Sequence, residues 1–166
     1  IGGSELQCDL IASELSERSY NVVYVVPGGK GPYERERGYN IIACENIGQR
    51  IAEVTISQKP DIVYWRYNKR NFYEAAKLIH KSSIPFIFSS SSEGDVKRGI
   101  NKKDYNFKKY IKLHVKSLWN RRGFKFVDAV VVNNISHLTL LPVAYQKFIP
   151  NGMISEQIPF AWDKPY

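Results

Sequence analysis

Cysteine is scarce in this sequence, and long apolar runs are missing from it. The two cysteines, Cys8 and Cys44, are too few for a disulfide scaffold in a chain of 166 residues, so we expect a reducing compartment. No apolar run approaches the ~18 residues that a membrane-spanning helix needs, and no charged-then-apolar signal segment opens the chain. These absences predict a cytoplasmic protein that can attach to a membrane only from the side.

Recognisable metal and nucleophile motifs are also missing. The three histidines, His80, His114 and His137, have no carboxylate or cysteine at ligand spacing, so we expect no metal site. No Gly-x-Ser-x-Gly elbow presents a serine nucleophile, and the serine run at 89–92 does not replace one. We therefore predict no cofactor.

Acidic residues are in the minority. The chain has 24 Lys and Arg against 16 Asp and Glu, and the net charge of +8 favours anionic partners such as phosphates, nucleic acid or an acidic membrane surface. The excess is local, because residues 97–125 hold eleven basic residues and one acid, Asp104. This segment carries +10, and the remainder of the chain carries −2.

The chain does contain an alternation of strand-like and helix-like segments. Apolar, β-branched runs such as 21–26 are typical of buried parallel strands, and stripes such as Phe72, Ala75, Ala76 and Ile79 predict helices between them. The connections are too long for hairpins. The pattern predicts an α/β domain with a Rossmann-like parallel sheet covered by helices on both faces. The predicted strands are 21–26, 39–44, 62–65, 86–88, 126–133 and 146–149, and the predicted helices are 4–18, 47–58, 71–82 and 136–141.

The opening of the chain, Gly2-Gly3-Ser4-Glu5, is the start of the first predicted helix. Glycine lets the backbone turn tightly and approach a ligand, and a helix N-terminus attracts anions. The two glycines are therefore a candidate anion-binding loop, although a plain turn is the alternative. Further along this helix, Cys8, Ile11, Ala12 and Leu15 form one apolar stripe that would pack on a sheet.

Five motifs occur in a specific order and spacing. They are Gly2 to Glu5, Leu15 to Val22, Lys59 to Tyr64, Val127 to Asn134 and Phe148 to Gly152. Together they resemble the N-terminal, acceptor-side domain of GT-B fold glycosyltransferases of the GT4 type. The resemblance spans Gly2 to Gly152, with Ser19 and Tyr20 standing where that family usually has glycine and histidine.

The resemblance implies a function and a domain plan. Its members are retaining enzymes that move a sugar from a nucleotide-sugar donor, a substrate rather than a cofactor, to an acceptor in a cleft between two domains. Here it implies cell-surface polysaccharide biosynthesis on a glycan or lipid-linked glycan acceptor. Residues 1–152 would be the acceptor-binding domain, with its first strand ahead of Ile1. Residues 153–166 would be a linker to a C-terminal donor domain, whose paired glutamates have no counterpart here, so we expect this chain alone to be inactive.

Candidate catalytic and donor residues follow from the same resemblance. Gly2 and Gly3 would present backbone to the donor diphosphate and the reacting sugar. Many members carry a histidine after the strand that corresponds to 86–89. The matching position in this sequence falls near Ser91, so we assign no catalytic histidine here. Asp95, with Glu93 as the second choice, is the candidate for orienting a sugar or acceptor hydroxyl. Capping of the next helix is the alternative role for these acids.

Candidate acceptor-binding residues lie where predicted strands end. Arg66 and Tyr67 follow the strand 62–65, and open α/β sheets bind ligands at the carboxyl ends of their strands. A guanidinium group can bind phosphate with two parallel hydrogen bonds, and an aromatic ring can stack on a sugar. The alternative role for Arg66 is an ion pair with a surface carboxylate. The remaining acceptor candidates are Ser91, Asn133 and Asn134.

The basic segment admits two interpretations. Phe107, Ile111, His114 and Leu118 share one helical face, so the first is a helix packed on the sheet with solvated lysines. The second is docking to anionic lipid. Its contact residues would be Lys109, Lys112, Lys116, Trp119, Arg121 and Arg122. The alternative function for the whole chain is a non-enzymatic module that binds nucleotide or nucleic acid through 97–125, but nucleic acid is not an expected partner because no common recognition motif is present.

Overall fold

The structure is a computed structural model, and it describes residues 3–28, 38–66, 71–90, 93–96, 106–138 and 140–149. Helices and strands alternate along these residues. The helices are Gly3–Glu17 (α1), Gly48–Ser57 (α2), Phe72–Lys81 (α3), Glu93–Val96 (α4) and Phe107–Arg121 (α5). The strands are Val23–Pro27 (β1), Asn40–Cys44 (β2), Val63–Arg66 (β3), Phe86–Ser89 (β4), Ala129–Val132 (β5) and Tyr145–Phe148 (β6). Two 3₁₀ turns, Arg122–Phe126 and Ile135–His137, flank β5.

All of the strand pairs in the described residues are parallel. Strand β1 pairs with β2, and β3, β4, β5 and β6 pair in that order. Parallel neighbours need a crossover, and helices supply it between β3 and β4 and between β4 and β5. The α/β fold that the sequence predicts, with helices flanking parallel strands in a Rossmann-like manner, is confirmed.

The hydrogen-bonded strands form two sheets in the described residues, where the sequence suggested one. Helix α2 joins the two parts, because it packs against β1 and β2 and also against α3. The side-chain amide of Asn71, just before α3, donates to the backbone oxygen of Asn46 over 2.8 Å and so ties the start of α3 to the loop before α2.

An aromatic cluster fills the core beside the four-stranded sheet. Phe72, Phe86, Phe88 and Phe124 are all at most 1% exposed. The Phe72 ring lies 5.0 Å from the Phe124 ring and 5.2 Å from the Phe88 ring, centroid to centroid. Each fully buried phenylalanine contributes about 1.5–3 kcal/mol of hydrophobic stabilisation. The predicted α3 stripe, including Phe72, is confirmed as this core.

Helix α1 is attached to the molecule by polar contacts as much as by its apolar stripe. Of the predicted stripe only Ala12 is fully buried, and Leu15 is 38% exposed. The Tyr39 hydroxyl donates to the buried Asp9 carboxylate, and the Ser16 hydroxyl donates to the Gly38 carbonyl over 2.6 Å. The stripe is therefore only partly covered, and these contacts fix α1 beside the start of β2.

The end of α1 shows what Ser19 does in the place of a glycine. Ser19 has a φ of 65°, and its N–H donates to the Ser16 carbonyl over 2.9 Å. The N–H of Tyr20 donates to the Leu15 carbonyl over 3.1 Å. This is the Schellman arrangement, in which the residue after the helix adopts a left-handed conformation that favours glycine. The turn thus forms with serine, at the cost of placing a Cβ in that conformation.

Two predicted elements differ from the structure by more than two residues at one end. Phe126 belongs to a 3₁₀ turn, and β5 begins only at Ala129, because the Asp128 carboxylate turns to accept a hydrogen bond of 2.8 Å from the Phe86 N–H. The helix predicted at 136–141 is shortened to the 3₁₀ turn Ile135–His137, since the Asn134 side chain accepts from the Ser136 N–H and closes a tight turn.

Candidate functional site

Polar residues gather at the carboxyl ends of three neighbouring parallel strands. Arg66 ends β3 and lies in register with Ser89, which ends β4. Ser89 in turn lies in register with Val131 of β5, and Asn133 is the first residue after that strand. Because these strands are parallel, their carboxyl ends share one edge of the sheet, where α/β proteins bind ligands. We call this edge the carboxyl edge.

The half-buried guanidinium group of Arg66 brings positive charge to the carboxyl edge. Its Nη1 lies 3.4 Å from the Ser89 hydroxyl and 3.4 Å from the Tyr64 hydroxyl. Both distances are at the long end of hydrogen bonding. A guanidinium in this position can fork a phosphate or carboxylate.

Two buried polar atoms at the same end of the molecule lack hydrogen-bond partners among the described residues. They are the hydroxyl of Ser90, directly after β4, and Nδ1 of His137, in the 3₁₀ turn after β5. Ser90 is fully buried, and its N–H donates to the Val131 carbonyl over 2.9 Å. Buried polar atoms are nearly always hydrogen-bonded, so such atoms commonly face an ordered water or a ligand. Sequence reasoning missed both residues, because only burial distinguishes them from other serines and histidines.

The candidate catalytic acid Asp95 is buried, with 7% of its surface exposed. It is the third residue of α4. The Val96 carbonyl next to it accepts a hydrogen bond of 2.8 Å from Arg121, whose other terminal nitrogen donates to the Leu140 carbonyl over 3.2 Å. Arg121 therefore holds α4 against α5, a structural role that argues against lipid contact for this residue.

The two asparagines after β5 have different roles. The Asn134 side-chain oxygen accepts from the N–H of Ser136 over 3.0 Å and from its hydroxyl over 2.9 Å, so Asn134 caps the following turn. Asn133 is half-buried at the strand end and is the one of the pair that remains a binding candidate.

Some predicted site residues cannot be placed. Gly2, Tyr67 and Ser91 lie outside the described residues, and the side chains of Glu93 and Lys116 are not described. Gly3 is the first residue of α1.

The basic helix α5 has its apolar residues on the outside. Phe107, Ile111 and Leu118 are 66%, 44% and 51% exposed, so the interpretation in which this face packs on the sheet is wrong. Trp119 instead touches the body of the protein, with its ring 5.0 Å from that of Tyr73 and the Arg122 guanidinium 5.1 Å above it. Lys109 and Lys112 are exposed.

The described part of the chain has neither a metal-binding cluster nor a membrane-spanning helix. No group of three or more His, Cys, Asp or Glu residues there is arranged to hold a metal ion. Among the same residues, none of the helices combines the length and the apolar character needed to cross a bilayer.

Comparison of the chain with protein-family models and with curated proteins gives no match.

Proposed function

We propose that this chain is the acceptor-binding domain of a retaining, GT-B type glycosyltransferase. The enzyme would transfer a sugar from a nucleotide-sugar to a glycan or lipid-linked glycan acceptor in cell-surface polysaccharide biosynthesis. One observation carries the proposal: Arg66, Ser89 with Ser90, and Asn133 lie at the ends of three adjacent parallel strands. Of these residues, Asn133 belongs to a motif that resembles the glycosyltransferases, the segment Val127 to Asn134.

Arg66 has the chemistry to hold a phosphorylated sugar. Acceptors built on a lipid carrier present a phosphate next to the first sugar, and a guanidinium matches phosphate with two parallel hydrogen bonds. Its contacts to Ser89 and Tyr64 keep the Arg66 guanidinium at the carboxyl edge, where the phosphate of an acceptor would bind. Arg66 is thus assigned to the anionic part of the acceptor.

Asp95 and the buried atoms beside the edge have the chemistry to orient hydroxyl groups. A carboxylate accepts hydrogen bonds from sugar or acceptor hydroxyls, and its burial at 7% exposure strengthens such bonds by excluding water. The Ser90 hydroxyl and the His137 ring can each pair with one more polar group. Positioning of the acceptor hydroxyl is the contribution to transfer that these residues can make.

The donor side involves the start of α1. The N–H groups of a first helical turn have no partners within the helix, and the helix dipole favours negative charge there. Gly2 and Gly3 would let the donor diphosphate approach this backbone closely. The remaining donor contacts belong to a second α/β domain, whose paired glutamates have no counterpart in these motifs.

The test is a titration of the ¹⁵N-labelled chain with glucose 1-phosphate, followed by NMR, which detects weak binding. We expect amide shifts to concentrate at Ser89, Ser90 and Asn133. Arg66→Ala should abolish them, whereas Arg50→Ala, which removes an exposed arginine paired with Glu53 on α2, should leave them unchanged.

Three results would contradict the proposal. One is the absence of any shift at the carboxyl edge, and another is equal loss of binding in the Arg50→Ala control. The third favours the alternative function: salt-sensitive binding of random oligonucleotides through 97–125, with no response to glucose 1-phosphate or to UDP-glucose.

A further inference from the structure

Helix α5 carries a continuous apolar stripe that faces solvent. It consists of Phe107, Ile111, Val115 and Leu118, which are 66%, 44%, 58% and 51% exposed. The spacing of four, four and three residues places all of them on one side of the helix. Scattered exposed apolar residues are ordinary on protein surfaces, but four aligned over the length of one helix form a contiguous patch. Contiguous apolar patches of this kind are typical of surfaces that contact a membrane or another protein.

Lysines flank this apolar stripe along one side. Lys108 and Lys112 follow Phe107 and Ile111 by one residue each, which places them next to the stripe around the helix. Both are exposed. Across its 15 residues α5 carries five basic residues and no acid. The outward face of α5 is therefore apolar along one strip and cationic beside it.

The other side of α5 is held against the protein. The side chains of Tyr110, Leu113 and His114 on this side are half-buried. Arg121 donates to the carbonyl groups of Val96 and Leu140. These contacts fix the rotation of α5 about its axis, so the apolar stripe is presented outward by the fold and is not free to turn inward.

We propose that the apolar stripe of α5 and its lysine flank dock on the surface of an anionic lipid bilayer. The helix lies in the plane of the interface, with the stripe at the boundary of headgroups and acyl chains and the lysines among anionic headgroups. This proposal is independent of the proposed glycosyl transfer, and lipid binding alone tests it.

The composition of the stripe and its charge favour lipid over the other occupants. A second copy would bring two acid-free helices of +5 together, and like charges at a dry interface repel strongly. Nucleic acid would attract the lysines, but Ile111, Val115 and Leu118 have no aromatic surface on which bases stack. A bilayer offers both anionic groups and hydrocarbon within one helix diameter.

The experiment is flotation of the full 166-residue chain with two kinds of vesicle. One is pure phosphatidylcholine, and the other contains equal parts of phosphatidylcholine and phosphatidylglycerol. We expect binding to the mixed vesicles, weakened by salt, and little binding to phosphatidylcholine. The double variant Lys108→Gln/Lys112→Gln should weaken binding about 30-fold. The double variant Ile111→Ser/Leu118→Ser should weaken it about tenfold, since each side chain has about half of its surface left to bury.

Matched controls carry the same substitutions elsewhere. Lys81→Gln/Lys147→Gln removes the same charge from other exposed positions, and Ile62→Ser/Ile135→Ser removes isoleucines that are 53% and 67% exposed. Both controls should bind like the wild type, and thermal melts should show that every variant is folded.

Four outcomes would overturn the proposal. The first is equal and negligible binding to both vesicle types at low salt. The second is that the control variants lose as much binding as the α5 variants. A dimer that Ile111→Ser/Leu118→Ser dissociates without any lipid binding would assign the stripe to a second copy. Oligonucleotide binding that Lys108→Gln/Lys112→Gln abolishes, in the absence of vesicle binding, would assign the flank to nucleic acid.

Discussion

Substituting alanine for Gly123 tests whether the aromatic core is as tightly packed as the structure shows. Gly123 is buried in the 3₁₀ turn before β5. A Cβ at this position would lie 2.6 Å from Cδ1 and 2.7 Å from Cε1 of Phe72, and 3.2 Å from the backbone Cα of Tyr73. Real Cβ atoms do not approach other heavy atoms so closely, so either Phe72 or the turn must move.

Two effects of opposite sign decide the result. The φ of Gly123 lies outside the left-handed region, so alanine fits its backbone and would by itself stabilise the fold by about 0.4–1 kcal/mol through the unfolded state. Overpacking costs about 1–3 kcal/mol, and Phe72 has no room to yield, because the rings of Phe86, Phe88 and Phe124 surround it. We therefore expect a net loss of about 1–2 kcal/mol in the free energy of unfolding.

The assay is urea denaturation followed by far-UV circular dichroism, with a thermal melt beside it. For a chain of this size the expected fall in Tm is about 2–8 °C. Lys125→Ala, an exposed substitution in the same 3₁₀ turn, serves as the control and should change little. Adding Phe72→Leu should recover part of the loss due to Gly123→Ala. A Gly123→Ala protein as stable as the wild type, or more stable, would refute the close contact with Phe72.

Three other features give predictions of known direction. Ser19→Gly should raise the free energy of unfolding by about 0.5–1 kcal/mol, because glycine adopts the left-handed conformation without strain, and an unchanged urea midpoint would count against the Schellman turn. Asp128→Ala should lower stability by about 1–2 kcal/mol by leaving the Phe86 N–H without its acceptor, and Asp128→Asn, which keeps an acceptor oxygen, should cost less in the same denaturation assay. Burial raises the pKa of the Cys44 thiol, so the folded state binds this proton more tightly than the unfolded state does. Its contribution to stability is complete below the unfolded pKa and is lost as pH rises through the folded pKa, and iodoacetamide mapping by mass spectrometry should find Cys8 alkylated before Cys44, with equal rates arguing against that burial.

The fold was predictable where periodicity was strong. The α3 stripe repeats with the helical period, and each buried parallel strand except β6 is an apolar, β-branched or aromatic run, so their type and order followed from local pattern. Element ends were less predictable, because they depend on single side-chain contacts. Strand β5 begins only after Asp128, whose carboxylate accepts a hydrogen bond from the Phe86 N–H. A local sequence pattern cannot predict a contact between residues that are 42 positions apart.

The candidate site was predictable in position but only partly in composition. The carboxyl-end rule placed Arg66 and Asn133 on one edge, since topology alone fixes that. The Ser90 hydroxyl and the His137 ring became visible only through burial, which depends on the packing of the whole domain. The orientation of α5 was wrong in the simplest interpretation for a similar reason: a helical stripe reveals an apolar face but not what covers it.

Arg121 connects two regions of the molecule that have been described separately. Its backbone belongs to α5, and its guanidinium group donates hydrogen bonds to the carbonyl groups of Val96 and Leu140. If helix α5 tilts, either these hydrogen bonds lengthen or α4 moves with α5. In the second case Asp95, which belongs to α4, moves as well. If lipid docking on α5 is coupled through these bonds to a ligand at Asp95, the coupling is reciprocal: each ligand then changes the affinity of the other by the same factor.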